Sequence, residues 1–191
     1  MGRARRGAKR TGMSFKRQDN NPPKRIPTVV TFLEMKAKPS LIAPLPKGKV
    51  AILRAEHPPM HFYRYLYDTI GREYYWVDRK KVDDAALAAI LQDPKVELYV
   101  MHVDGCPAGM AELDFRSEDT GNLAYFGLMP EYLGRGLGFF FLRQSIEIAW
   151  AKPISKFLVN TCTLDHPRAL PLYQRAGFVP YSREDRYIEL P

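Results

Sequence analysis

The sequence has few of the residues that hold disulfide-bonded or metal-binding proteins together. Among its 191 residues only Cys106 and Cys162 are cysteines, and they do not form a CxxC motif. Two isolated cysteines argue against a disulfide framework and indicate a reducing compartment, so we predict a cytoplasmic protein. The chain has four histidines, His57, His61, His102 and His166. They do not cluster with other ligands at a metal-binding spacing, so we predict no metal.

Long hydrophobic runs are also missing from the sequence. No segment is long enough to cross a bilayer, and the first residues lack the apolar run of a signal peptide. We therefore predict no membrane partner. Hydrophobic residues still make up 46% of the chain, enough to bury a substantial core.

Acidic residues are scarce in one region only, the first 25 residues. This region holds nine Lys or Arg residues and one acid, Asp19, which accounts for the whole net charge of +8. We expect residues 1–25 to form a disordered basic tail and residues 26–191 to form a single domain. The tail either contacts nucleic acid or is a solvated leader, and it is an upstream extension if Met13 is the true start.

Periodicity and turn residues divide the rest of the chain into short strands and helices. The predicted strands are 28–35, 49–55, 96–103, 107–115, 122–129 and 156–163, followed by a final hairpin of 178–181 and 187–190. The predicted helices are 60–70, 83–93, 137–150 and 167–176. This order predicts an α/β protein, of α+β type, with a mixed sheet that carries helices on both faces.

A glycine-rich turn joins the predicted strand 122–129 to the helix 137–150. Gly134, Gly136 and Gly138 occupy alternate positions in it. Such a turn offers several backbone N–H groups to one anion, because no Cβ keeps a phosphate away and the helix start adds unpaired N–H groups. We interpret the turn as a pyrophosphate site, with a purely structural turn as the alternative.

Two common phosphate motifs do not describe this turn. A P-loop requires Gly-Lys-Ser/Thr, which is absent here. The dinucleotide-binding fingerprint is GxGxxG near the start of a βαβ unit, whereas this GxGxG comes late in the chain after an antiparallel meander.

The turn instead resembles the pyrophosphate loop of the GNAT superfamily of N-acetyltransferases, R/Q-x-x-G-x-G/A, over residues 133–138. Leu133 stands where that family favours Arg or Gln. The resemblance covers about residues 28–191 and implies a GNAT-like acyl-CoA N-acyltransferase fold, in which two parallel strands of the central sheet splay apart.

A second segment, residues 165–178, resembles the later GNAT pattern N-x-x-A-x-x-x-Y-x-x-x-G-F. Ala169, Tyr173, Gly177 and Phe178 match it, and His166 replaces the usual Asn. Two motifs in the family's order make the resemblance specific.

The resemblance implies acetyl-CoA as the acetyl donor and direct attack by a primary amine in a ternary complex. The amine is of unknown identity and belongs to a small molecule, a peptide or a protein; a homodimer stays open. The residues implied in binding the donor are Gly127, Leu128, Met129, Leu133, Gly134, Arg135, Gly136, Leu137, Gly138, Phe139, Asn160, His166 and Tyr173.

The family match makes Tyr173 the candidate catalytic acid, because a phenol near the leaving thiolate can donate a proton. Glu112 is the candidate base if its face of strand 107–115 lines the cleft. The structural alternatives are a packed helix tyrosine and a polar strand edge. His166 is an alternative base or a helix cap, and Cys162 fits a small buried residue better than an acyl-cysteine nucleophile.

The aromatic residues between Phe62 and Trp76 occupy the segment that shapes the acceptor site in the family. They form either an aromatic acceptor pocket or part of the core. The rival to an N-acetyltransferase is a non-catalytic acyl-CoA-binding module whose basic tail contacts nucleic acid.

Overall fold

A computed structural model describes residues 24–40 and 42–190. The strands are β1 Arg25–Met35, β2 Val50–Arg54, β3 Val96–Val103, β4 Cys106–Asp114, β5 Thr120–Leu128, β6 Lys156–Cys162 and β7 Val179–Glu189. The helices are α1 Met60–Gly71, α2 Asp84–Leu91, α3 Leu137–Ala149 and α4 Ala169–Arg175. Residues 1–23 of the predicted tail lie outside the described residues, whereas Arg25 is the first residue of β1.

The seven strands form one mixed sheet in the order β2-β3-β4-β5-β6-β1-β7. β5 and β6 are parallel, and the other neighbouring pairs are antiparallel. Apolar residues of α1 and α2 pack on one face, and those of α3 and α4 pack on the other. The predicted α/β class with helices on both faces of a mixed sheet is confirmed.

The prediction of a final hairpin is wrong. Residues 179–189 form one continuous strand, β7, antiparallel to β1 from the pair Arg25–Glu189 to the pair Glu34–Val179. The polar residues 182–185 indicate a turn in the sequence, but an edge strand exposed to water needs no apolar alternation. Pairing with β1, which no local pattern shows, extends the strand through them.

The parallel strands β5 and β6 separate part-way along their length. Their pairing runs from Thr120–Lys156 to Leu123–Val159 and then stops. Beyond that point β5 stays paired with β4 as far as Leu128, and β6 stays paired with β1 as far as Cys162. A gap therefore opens in the middle of the sheet between residues 124–128 and 160–162.

Across residues 24–40 and 42–190, none of the helices combines the length and the apolar character that crossing a membrane requires.

Candidate functional site

The gap between β5 and β6 opens into a cavity of about 790 Å³. Its walls come from the two splayed strands, the glycine turn, α4 and the segment after α1. The predicted site residues that line it are Gly127, Leu128, Leu133, Gly134, Gly136, Gly138, Phe139, Asn160, His166 and Tyr173. The fold thus brings both sequence motifs to one cavity.

The glycine turn is held open by its backbone angles. Gly134 and Gly136 both have φ of +76°, in the left-handed region that residues with a Cβ rarely adopt. A Cβ added at either position would meet no atom within 4 Å. The backbone conformation, and not a lack of space, therefore requires glycine here, and the turn is exposed.

The N–H groups of this turn are available to a ligand. Those of Gly134, Arg135 and Gly136 make no hydrogen bond to a backbone carbonyl of the described residues. Gly136 is the N-cap of α3 and has no side chain to satisfy the first-turn N–H groups. Free amides beside the positive end of a helix dipole form a site for an anion such as a diphosphate.

The edge of β5 supplies a further N–H group to the gap. The N–H of Met129 donates to the carbonyl of Ala108 in β4 at 2.9 Å. Because successive residues of a strand direct their backbone groups to opposite sides, the backbone groups of Leu128 and Phe126 point into the gap. Of the predicted residues 127–129, Leu128 therefore offers the free N–H.

Three predicted binding residues contribute no side chain to the cavity wall. Met129 and Leu137 are buried in the apolar core. Arg135 is exposed, and its guanidinium carbon lies 5.2 Å from the centre of the Tyr132 ring. Arg135 and Leu137 retain a place at the site only through their backbone N–H groups.

Tyr173 is fixed by the way α4 ends. The N–H of Phe178 donates to the Tyr173 carbonyl at 3.1 Å, and the N–H of Gly177, with φ of +103°, donates to the Gln174 carbonyl at 3.0 Å. The Tyr173 ring packs against Phe126 and Phe178, with centroids 6.4 and 6.1 Å away. Burial, with a smaller effect of the nearby Asp165 charge, raises the pKa of Tyr173, so its hydroxyl keeps its proton at neutral pH.

Glu112 lies away from the cavity. Its side chain is 0% exposed, its Oε1 lies 2.6 Å from Nη2 of Arg79, and its Oε2 accepts a hydrogen bond from the Tyr63 hydroxyl. Burial, the largest single cause, lowers the pKa of Arg79, but the charge of Glu112 and the hydrogen bond to it, together with smaller effects of nearby tyrosines, outweigh burial and raise that pKa. The strand face expected to line the cleft is covered by α1 instead, and both carboxylate oxygens are engaged.

His166 lies in the turn that leads into α4, two residues before the N-cap Arg168. Its Nδ1 accepts a hydrogen bond from the N–H of Arg168 at 3.1 Å, and its carbonyl accepts one from the N–H of Ala169 at 2.8 Å. This hydrogen bond engages the Nδ1 lone pair and orients the ring at the start of the helix. The geometry therefore fits the capping role better than the base.

Asp165 is a cavity residue that sequence reasoning missed. Its Oδ2 accepts hydrogen bonds from the Thr161 hydroxyl at 2.7 Å and from the N–H of Cys162 at 2.8 Å. Both Asp165 and the free thiol Cys162 line the cavity. Its place beside His166 in the second motif was the available signal. Within the described residues, no group of three His, Cys, Asp or Glu side chains is placed to hold a metal ion.

The aromatic segment divides between core and cavity. Tyr63 and Tyr67 are 0% and 1% exposed and belong to the core, although Tyr67 also reaches the cavity wall. Tyr74, Tyr75 and Trp76 line the cavity. Asp78 and Lys81 follow them in the wall, and no spacing in the sequence indicates these two.

Comparison with known proteins agrees with this geometry. The family model described as the acetyltransferase (GNAT) family matches residues 63–178, which contain both motifs. No curated protein matches the sequence.

Solved structures with similar folds include a GCN5-related N-acetyltransferase from Kribbella flavida, with 16% identity, a TM-score of 0.57, and coverage of 89% of this chain and 58% of that one. An IAA acetyltransferase from Bacillus cereus has 23% identity, a TM-score of 0.52, and coverage of 70% and 79%. A tandem GNAT protein of the clavulanic acid biosynthesis pathway has 14% identity, a TM-score of 0.60, and coverage of 88% and 52%. The chain spans less than two thirds of the Kribbella and tandem proteins. These likenesses concern the fold, and they confirm the predicted GNAT-like architecture.

Proposed function

Because the chain belongs to the GNAT acetyltransferase family, we propose that it transfers an acetyl group from acetyl-CoA to the nitrogen of a primary amine, by direct attack in a ternary complex. One observation carries this proposal: the gap between β5 and β6 opens directly onto the free N–H groups of residues 134–136 at the start of α3.

The residues of the cavity fit a CoA thioester. The N–H groups of Gly134, Arg135 and Gly136 and the first turn of α3 would hold the diphosphate. The backbone groups of Phe126 and Leu128 would hydrogen-bond the extended arm along the edge of β5, where β6 no longer pairs. When bound, acetyl-CoA supplies a thioester whose carbonyl carbon accepts the amine nitrogen.

Two groups of the chain serve the transfer in this proposal. The N–H of Leu128 donates to the carbonyl oxygen, where negative charge develops. The hydroxyl of Tyr173 donates a proton to the sulfur as the C–S bond breaks, and the proton that the amine releases restores the Tyr173 hydroxyl before the next turnover. The raised pKa of Tyr173 keeps its proton in place until the C–S bond breaks.

The incoming amine must lose a proton. An amine of pKa about 10.4 is neutral in only about one molecule in 2,500 at pH 7. Because both oxygens of Glu112 are engaged away from the cavity, we assign it the role of holding Arg79 and not that of the base. Asp165 lines the cavity, and its Oδ1 has no hydrogen bond among the described residues. We therefore propose that Asp165 is the base, which takes the proton from the amine directly or through a water molecule.

Turnover with a mixed amine panel tests the proposal. The assay measures release of the CoA thiol and, by mass spectrometry, the acetylated amine. We expect thiol release that depends on the amine and matches the amount of acetylated product. Tight acetyl-CoA binding without turnover of any amine would instead favour the non-catalytic acyl-CoA-binding module.

The remaining assignments are also proposals. We place the protein in the cytoplasm, with no metal, and leave open whether it is a homodimer. Deleting residues 1–23, which leaves β1 intact, tests the tail: a salt-dependent affinity for RNA that this deletion abolishes would assign the tail to nucleic acid.

A further inference from the structure

The acceptor end of the cavity carries aromatic rings that pack against the core only in part and also line the cavity. Tyr74, Tyr75 and Trp76 lie there, and Tyr125 approaches from β5 with its ring centre 5.1 Å from that of Trp76. Tyr75 is 41% exposed and has φ of +56°, an unfavourable backbone conformation for a bulky residue. A ring that is both exposed and held in this conformation is available to contact a ligand.

One of these rings already binds a cation of the protein. The guanidinium carbon of Arg79 lies 5.1 Å from the centre of the Tyr125 ring, and Glu112 balances its charge. Arg79 therefore occupies the Tyr125 face. Trp76 packs against the core on one side, so the ring surface left for a ligand is the part of Tyr74, Tyr75 and Trp76 that lines the cavity.

Three carboxylates line the cavity, and only one of them forms an ion pair among the described residues. Asp165 accepts hydrogen bonds from Thr161 and Cys162, and Glu189 pairs with Arg25 at 2.6 Å. Asp78 also lines the cavity, and its carboxylate makes no hydrogen bond or ion pair within residues 24–40 and 42–190. Burial is the main cause that raises the pKa of Tyr125, and the charge of Asp78 adds to it, which agrees with a carboxylate close to the rings.

Positive charges on the same wall limit the charge of the acceptor. Lys81 and Arg168 both line the cavity, and neither forms an ion pair in the part of the chain that the structure describes. Together with Arg175 they outnumber the two wall carboxylates that have no ion-pair partner among the described residues, Asp78 and Asp165, and so they repel a second ammonium group. The wall therefore favours a monoamine over a polyamine or an aminoglycoside.

We propose that the acceptor is a small monoamine that carries an aromatic ring, with the ring packed on Tyr74, Tyr75 and Trp76 and the ammonium attracted by Asp78. This inference rests on the proposed acetyl transfer and specifies its substrate class.

Matched amines test the inference by their kcat/KM. 2-Phenylethylamine and 2-cyclohexylethylamine share charge and carbon skeleton and differ in aromaticity, and spermidine represents the polycations. We expect the phenyl compound to exceed the cyclohexyl compound about three- to tenfold, the range that aromatic pairs contribute beyond burial. It should exceed spermidine by a larger factor.

Variants assign the preference to the cavity wall. Trp76→Leu should bring the ratio of the phenyl to the cyclohexyl compound close to one. Tyr181→Leu, a ring that is 54% exposed on β7 outside the cavity, should leave the ratio unchanged. Asp78→Asn should lower kcat/KM for both monoamines and lower it further for spermidine, because the loss of a carboxylate makes the wall more positive.

The outcomes separate this inference from the proposed function. If amines are acetylated but spermidine is preferred, or if Trp76→Leu leaves the ratio unaltered, the substrate class is wrong and acetyl transfer stands. If no amine is acetylated, the proposed function fails, and the binding of the two monoamines then decides the inference.

Tryptophan fluorescence measures this binding, because Trp150→Phe leaves Trp76 as the sole tryptophan. Its emission should respond to 2-phenylethylamine at lower concentration than to the cyclohexyl compound, and equal or absent responses would overturn the inference.

Discussion

Gly138 offers a test of the diphosphate site that does not strain the backbone. It is the second residue of α3 and lines the cavity. A Cβ built there lies 3.8 Å from Leu128 and 3.9 Å from Leu172, which are ordinary contact distances. At Gly134 and Gly136 any side chain would strain the left-handed backbone, so binding and folding would change together. Gly138→Asp is therefore the informative variant, and Gly138→Ala is its matched control.

The two variants should differ in binding and not in stability. An acid in the first turn of a helix stabilises it by roughly 0.3–1 kcal/mol, and replacing a helical glycine contributes up to about 1 kcal/mol. A carboxylate about 6 Å from a diphosphate of about two negative charges, at an effective dielectric constant of about 40, costs roughly 3 kcal/mol. We therefore expect Gly138→Asp to weaken acetyl-CoA binding about 100-fold and Gly138→Ala to change it little.

Calorimetric titration with acetyl-CoA measures this difference, and thermal unfolding verifies that both variants fold. The loss of acetyl-CoA affinity in Gly138→Asp should become smaller at about 1 M salt, because the site is exposed and the Debye length falls to about 3 Å. Unaltered affinity in a folded Gly138→Asp variant would refute the diphosphate assignment. An equal loss in Gly138→Ala would attribute the effect to shape and not to charge.

Three further changes test the other parts of the site and fold. Tyr173→Phe should lower kcat about 100-fold or more in steady-state kinetics and leave acetyl-CoA affinity intact. Because the pKa of Tyr173 is raised, no loss of rate from its ionisation should appear below about pH 10. An unchanged kcat would remove Tyr173 from the mechanism. Glu112→Gln should lower the free energy of unfolding by about 3 kcal/mol, because Arg79 loses its buried partner, and Arg79→Met in the same chain should recover part of it; full stability with a large loss of kcat would make Glu112 the base. Burial, the largest single cause, raises the pKa of Asp114, but the hydrogen bonds from Arg116 and the positive charges of Arg116 and Arg79 together outweigh burial and lower that pKa. A carboxyl group whose pKa is lower in the folded protein stabilises the folded state at pH values above its unfolded pKa of about 3.9. This stabilisation is lost as the pH falls through the folded-state pKa. The stability difference between the wild type and Asp114→Asn should therefore shrink below about pH 4 in denaturant titrations, and a pH-independent difference would contradict this.

Much of the site was predictable from sequence because its turns require backbone conformations that only certain residues adopt. Gly134, Gly136 and Gly177 have positive φ, a conformation that other residues rarely adopt, so glycine at these positions indicates the turns. Tyr173 stands at a fixed distance before Gly177, on the helix that this glycine ends. The motifs therefore indicated the glycine turn and the helix end, and the gap between β5 and β6 followed from the resemblance.

The features that depend on distant partners were not predictable in the same way. Alternation along β4 shows that Glu112 faces one side of the sheet, but not that α1 and Arg79 cover that side. The strand β7 crosses polar residues because β1 pairs with it over the whole length. Asp78 lies in a short turn without periodicity, and only the folded structure shows that it lines the cavity.

The most direct test of the account is a crystal structure of the protein with a non-reactive acetyl-CoA analogue that keeps the sulfur and the carbonyl oxygen. We predict that the diphosphate binds to the N–H groups of residues 134–136. The carbonyl oxygen should lie within about 3.2 Å of the Leu128 nitrogen, a normal hydrogen-bond distance, and the sulfur should lie beside the Tyr173 hydroxyl. A diphosphate bound elsewhere, or a gap between β5 and β6 that remains closed to the analogue, would contradict the account.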